Sequence, residues 1–219
     1  MKHETPPPLT PAARASAGLI AVLALVSHVC QFQSSQIEHP DDTALQTLWA
    51  MARYFTVMTN GLILILFTHM VRTGRGLSAF WMSGIALWIA IVAGVWHGIL
   101  VDRSLVRVGA DFWANALYHT VNPIGVLVFW AVWGKKAHEL RTAFLWLVYP
   151  LGYFIYALWR GSLDGKYPYF FVDLPTLGVD GVARWFAILS VAFVIAGLGF
   201  IGIGHLLRRN KRRLKRASL

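Results

Sequence analysis

Apolar residues in this chain gather in long unbroken blocks rather than alternating with polar ones. Six such blocks lie near Ala15–Phe32, Leu48–Val71, Ala79–Val101, Phe112–Trp133, Leu140–Trp159 and Val182–Leu207. At 1.5 Å per helical residue, each is long enough to cross about 30 Å of hydrocarbon. The blocks lack the two-residue alternation of barrel strands. Backbone groups in lipid must also bond within their own segment, so the pattern predicts helices. The expected fold is an all-α membrane protein with six transmembrane helices. The blocks have few polar interruptions: His28 in the first, Thr56, Thr59 and Asn60 in the second, His97 in the third, and the run "YHTVNP", Tyr118–Pro123, in the fourth.

Composition agrees with this reading. Of 219 residues, 57% are hydrophobic and 14% charged, against roughly 25% charged in soluble domains. Mean hydropathy is +0.55. The expected organisation is one domain: a disordered proline-rich extension over 1–13, the six-helix domain over 14–207, and a basic tail over 208–219. The first block has a long apolar run and no small-x-small cleavage site after it, so it is read as a mature helix rather than a signal peptide. The single Cys30 allows no internal disulfide.

Charge sets the expected topology. Lys and Arg concentrate in cytoplasmic loops. Placing the N-terminus inside collects Lys2, Arg14, Arg72, Arg75, Lys135, Lys136, Arg141 and the tail "RRNKRRLKR" on that side. Both termini are therefore expected in the cytoplasm, with the protein in a cell membrane, as in the bacterial inner membrane. The net charge of +10 does not imply a nucleic-acid partner. Much of the excess sits in a tail beside a membrane exit, which anchors topology and can meet anionic lipid headgroups. The last outer loop, Arg160–Gly181, is rich in Tyr, Phe, Gly and Pro and is read as a lid.

This topology brings the polar interruptions of four helices to one depth in the outer half of the bilayer. Ionisable groups at such depth are costly and usually face a bundle interior. Pro123 cannot donate to the carbonyl of His119, so the fourth helix should kink there and leave that carbonyl to Asn122 or a water. Three chemistries fit these residues. A hydrolase could use Thr56 as nucleophile, with Thr59 as the alternative, and His119 as base; Asn60, Asn122 and Arg53 are possible oxyanion donors. A metal hydrolase could hold zinc on His28, His97 and His119, although no two of these share a helix. A transporter could use the same groups as an ion path, but no internal repeat is visible.

Three stretches carry a resemblance to a known family. They are "ARYFTV", Ala52–Val57; "YHTVNP", Tyr118–Pro123; and "YPLGYFIYALWRGSLDGKYPYFF", Tyr149–Phe171. In order and spacing they resemble the androgen-induced-gene protein family and its bacterial six-helix relatives, across helices two to six. Animal members are threonine hydrolases of fatty acid esters of hydroxy fatty acids. The resemblance implies a Thr56 nucleophile, a His119 partner, a lipid ester substrate and no cofactor. His97, Tyr153, Trp159, Asp164 and Tyr167 join Arg53, Asn60 and Asn122 as expected supporting residues. The animal run has four residues between its His and Pro, whereas this chain has three, a spacing shared with the bacterial relatives.

Overall fold

A computed structural model describes residues 6, 8–100, 106–136 and 138–217. Among these residues no strand forms, and six helices are long and apolar enough to cross a membrane: Pro11–Glu38, Phe55–Thr73, Ala79–Leu100, Gly109–Trp133, Thr142–Asp164 and Leu174–Asn210. Large apolar side chains such as Leu19, Val22, Ile65, Val128, Ile155 and Ile195 point outward from them, as lipid-facing residues do. The chain is all-α and of the multi-pass membrane type. It divides into two compact units, Met1–Lys135 and Lys136–Leu219, described in turn.

The first unit opens with α1, Pro11–Glu38. Its start lies three residues ahead of the expected domain boundary at residue 14. Thr10 accepts a hydrogen bond from the Ala13 N–H and Pro11 occupies the first turn, both favourable helix-start features. The expected extension over 1–13 otherwise falls largely outside the described residues. The second expected span, drawn as continuous from Leu48, is broken. A short helix α2, Ala44–Met51, begins with a capping box of Thr43 and Gln46. The N–H groups of Arg53 and Tyr54 then turn back to the carbonyls of Ala50 and Met51, tightening the chain and ending that helix. The spanning helix α3, Phe55–Thr73, starts afresh. It ends at Gly74, in the left-handed conformation that favours glycine (φ 65°).

The third span is α4, Ala79–Val95, ending in a π-helical turn at Trp96–Leu100. The fourth is α5, Gly109–Ala116, joined through a second π-helical turn, Leu117–Val121, to α6, Asn122–Trp133. The expected irregularity at Pro123 thus takes the form of a widened turn just before it. The Asn122 N–H reaches back five residues to the Leu117 carbonyl, the extra residue that defines a π turn. Small residues Ala13, Ala17, Ala21 and Ala24 form the buried stripe of α1, which packs against α3 and α5. Such residues let membrane helices approach closely. Ile63, Phe67, Ile85, Ile89, Val126 and Phe129 fill the remaining core. The Trp130 indole N–H donates to Ser83 at 2.9 Å, tying α6 to α4.

The second unit contains α7, Thr142–Trp146; α8, Val148–Asp164; a 3₁₀ turn, Phe170–Val172; and α9, Leu174–Ala217, broken at Gly178 where φ is 65°. The expected outer loop over Arg160–Gly181 is therefore much shorter. Helix α8 continues to Asp164 and α9 begins at Leu174, leaving only residues 165–173 between them. Gly165 ends α8 in the left-handed conformation (φ 71°). The connecting aromatics fold back onto their own unit: Tyr167, Tyr169 and Phe171 pack against Phe154, Val172 and Val182.

His138 lies in the loop ahead of α7, with its ring edge-on to Trp146 at 4.9 Å. Burial, aided by the nearby His205, lowers its pKa from 6.5 to about 4. The folded state therefore holds this ring neutral, while the unfolded chain protonates it near pH 6.5. Its contribution to stability is fully present above pH 6.5 and is lost as pH falls toward 4. Thermal midpoints recorded across that window should decline with acidification in the wild type, and decline less in His138→Gln.

Candidate functional site

The polar interruptions of the first four spans meet at one level of the first unit. Helix α3 supplies Thr56 in its first turn, rather than partway along a span opening at Leu48 as expected, because α2 ends before it. Thr56 is half-buried and Thr59 fully buried. The first N–H groups of an α-helix have no intrahelical partner, and Tyr54 gives this end no side-chain cap. Thr56 therefore sits where N–H groups and the positive end of the helix dipole gather. Arg53, buried in the preceding turn, is close in sequence to the same end.

Two other helices grip this first turn. Asn60 donates to the Thr56 carbonyl at 3.0 Å, and its side-chain oxygen accepts from Asn122 of α6 at 2.8 Å. Asn122 also reaches Ser27 of α1 at 3.4 Å. The amide of Asn122 does not turn toward the His119 carbonyl, as expected from the Pro123 argument; it joins α1, α3 and α6 instead. His28 of α1 lies with Nδ1 at 2.7 Å from the Ala24 carbonyl and Nε2 at 3.2 Å from the Val57 carbonyl. Both of its nitrogens face acceptors.

His119 is 7% exposed and sits within the π turn. Its Nδ1 lies 3.1 Å from the Asn115 carbonyl. A carbonyl can only accept, so Nδ1 carries the hydrogen and Nε2 keeps its lone pair. The ring stacks on Trp96 with centroids 3.9 Å apart and planes 12° from parallel. The guanidinium of Arg107 lies 5.2 Å from the Trp96 ring centroid and pairs with Asp111 at 3.4 Å. Asp111 accepts in turn from the Asn115 side chain at 2.7 Å. Arg107, Asp111 and Asn115, spaced four residues apart, are linked through their side chains, and the backbone carbonyl of Asn115 holds the imidazole from behind while Trp96 holds its face.

His97 supplies what Asn122 or a water was expected to supply. Its Nε2 lies 3.2 Å from the His119 carbonyl and 3.1 Å from the Thr120 hydroxyl. The carbonyl requires Nε2 to carry the hydrogen, so His97 donates to it. No hydrogen bond links the Thr56 hydroxyl to the His119 ring: Thr56 is engaged through its carbonyl, and His119 through Nδ1. Among the described residues, no three His, Cys, Asp or Glu side chains come together as a metal site, so His28, His97 and His119 are separately engaged.

Of the supporting residues expected in the second unit, Tyr153 is buried, 6.4 Å from Tyr169 between ring centroids. Trp159 faces outward. Asp164 lies 3.9 Å from the buried guanidinium of Arg160 and accepts from the Lys166 N–H at 3.1 Å. Tyr167 covers Gly161. Sequence reasoning passed over Ser27, Trp96, Asp111, Asn115 and Tyr118. The four-residue spacing of Arg107, Asp111, Asn115 and His119 was the available signal for two of them. The others come from neighbouring helices and carry no local mark. Searches against family models, curated proteins and solved structures return no match to this chain.

Proposed function

We propose that the protein is an intramembrane hydrolase of lipid esters, with Thr56 as nucleophile and His119 as general base, related to the androgen-induced-gene protein family. The observation that carries this reading is the buried His119 ring with Nδ1 3.1 Å from the Asn115 carbonyl, which places the hydrogen of the neutral ring on Nδ1 and leaves the Nε2 lone pair to accept a proton. Half-buried Thr56 is the better nucleophile than fully buried Thr59, since an ester must reach it. In the reaction, Nε2 takes the Thr56 proton as Oγ attacks the ester carbonyl. The tetrahedral oxyanion draws on N–H groups of the first turn of α3. The C–O bond then breaks, and His119 returns its proton to the departing alkoxide. Water, deprotonated by the same nitrogen, hydrolyses the threonyl ester and regenerates Thr56. Hydrogen bonds of this kind are often loose in unliganded sites and tighten when substrate binds.

A fluorophosphonate probe supplies the test. Labelling of the purified chain and mapping by mass spectrometry should find the adduct on Thr56. An adduct on another residue, or none, would remove the reading.

The proposal places both termini in the cytoplasm, the 165–173 connection outside, and the basic tail against anionic headgroups of a bacterial inner membrane. In a Cys30→Ala background, Ser35→Cys and Ser162→Cys should react with an impermeant maleimide on intact cells, and Arg209→Cys should react only after lysis. The opposite pattern would invert the topology.

A further inference from the structure

The first unit holds a cavity of about 160 Å³ at the end of the bundle opposite the candidate site. It lies where α1 and α4 begin and α3 and α6 end. Met70, in its lining, stands about 21 Å along α3 from Thr56. Ala13, Met70, Met82 and Phe129 line it with buried apolar surface, and Trp133 and Lys135 line it from the end of α6. Residues 8–10 form a further wall. They are strapped beside the α3–α4 connection: the Leu9 N–H donates to the Gly74 carbonyl at 2.9 Å, and Pro8 pairs with Arg75 in an antiparallel bridge. An apolar cavity of about 150 Å³ stays dry and takes a ligand the size of benzene. The space here therefore suits an apolar body of about six carbons better than water. The two methionines add a lining that adapts to the shape of what enters.

Charge defines the other end of the ligand. Lys135 lines the cavity. Arg75 is bridged to the strap, and Arg14 reaches across the end of α3, its Nε donating to the Val71 carbonyl at 2.9 Å. The segments that build this end, 8–14, 70–82 and 129–135, contain no Asp or Glu. Topology accounts for cations at this end of the bundle, but not for an apolar space built against one of them. We infer that the cavity binds a medium-chain carboxylate of about six to eight carbons, with its hydrocarbon among Met70, Met82 and Phe129 and its carboxylate toward Lys135. An inorganic anion would lose its hydration against apolar walls, and a plain hydrocarbon would draw nothing from the charge. The site stands apart from the hydrolase reading, since it rests on the cavity and the cations at the far end of α3.

The test uses the full chain in phosphatidylcholine nanodiscs, a lipid with no net charge, and an octanoate carrying a diazirine near its methyl end. After illumination, mass spectrometry should find adducts on Met70, Met82, Phe129 or Trp133. Excess octanoate should suppress them, and octanol at the same concentration should not. Lys135→Gln should raise the half-saturating probe concentration by about tenfold or more, the usual worth of a hydrogen bond to a charged group. Leu77→Trp, which enlarges a half-buried side chain in the lining, should reduce the cavity adducts strongly. The comparison of octanoate with octanol uses the wild type and so stands whether or not either variant folds. Adducts confined to outward-facing residues such as Leu19 and Val128 would overturn the site, leaving only partition into the bilayer. Equal suppression by octanol would overturn it too, since the cavity would then take a chain without regard to charge.

Discussion

Thr56→Ala should bring fluorophosphonate labelling to background, and His119→Ala should slow it by about 10²–10⁴-fold, the usual contribution of a positioned general base. These are the largest functional effects expected. Their combination is equally informative. Two groups acting on one proton form a unit, so the double variant should label no more slowly than Thr56→Ala alone. Both proteins should still insert and fold: a hydrogen bond inside a membrane protein is worth about 0.6–2 kcal/mol, and the Thr56 carbonyl that Asn60 grips survives the substitution. Thr59→Ala should label at close to the wild-type rate. Normal labelling of a folded Thr56→Ala protein would return Thr56 to a purely structural role. Normal labelling of His119→Ala alone would direct attention to His97, whose Nε2 already lies 3.1 Å from the Thr120 hydroxyl.

The largest stability effect is expected at Gly161→Ala. A methyl group there would stand 2.2 Å from the Tyr167 ring, far inside van der Waals contact. The Tyr167 ring packs against Phe154, Val172 and Val182, so retreating from the methyl disturbs that cluster. Overpacking of this kind costs about 1–3 kcal/mol. The same substitution at Gly152, also in α8, meets nothing within 4 Å and should gain from the better helix propensity of alanine, by up to about 1 kcal/mol. The pair separates steric effect from propensity in a single helix: thermal midpoints in detergent should fall for Gly161→Ala and hold or rise for Gly152→Ala. Protease sensitivity over 165–173 should increase only in the first. Equal midpoints would show that Tyr167 has room to move.

Hydrophobic block length made the six spans legible, because a bilayer imposes that length directly. Breaks within the blocks were harder to see. The chain turns at Ala52–Tyr54 without a Gly or Pro, through back-bonded N–H groups that follow from the Thr43 cap and the independent start of α3. The shift of Thr56 to a helix start had no sequence signal for the same reason. Pro123 correctly marked irregular backbone near His119, but the irregularity became a π turn, and His97 from another helix took the carbonyl. The aromatic loop was drawn too long because Trp159 to Asp164 contains no helix breaker before Gly165 except the tolerated Gly161. Residues placed by local pattern were legible; Ser27, Trp96 and Tyr118 owe their places to packing between helices distant in sequence.

The hydrogen bonds of α1 bear on how the chain enters the membrane. Ser27 and His28 reach partners on later helices only after Val57, 29 residues beyond His28, and Asn122, 95 residues beyond Ser27, have been synthesised. Until then no neighbour can satisfy them, and lipid offers nothing. Both side chains, however, also bond the Ala24 carbonyl of their own helix, each at 2.7 Å. The first helix can thus cross into the bilayer self-satisfied and wait there. The later helices then recruit groups whose hydrogens were already paired: Asn122 adds a donor to the Ser27 oxygen, and the single N–H of a neutral His28 ring can pass from the Ala24 carbonyl to that of Val57.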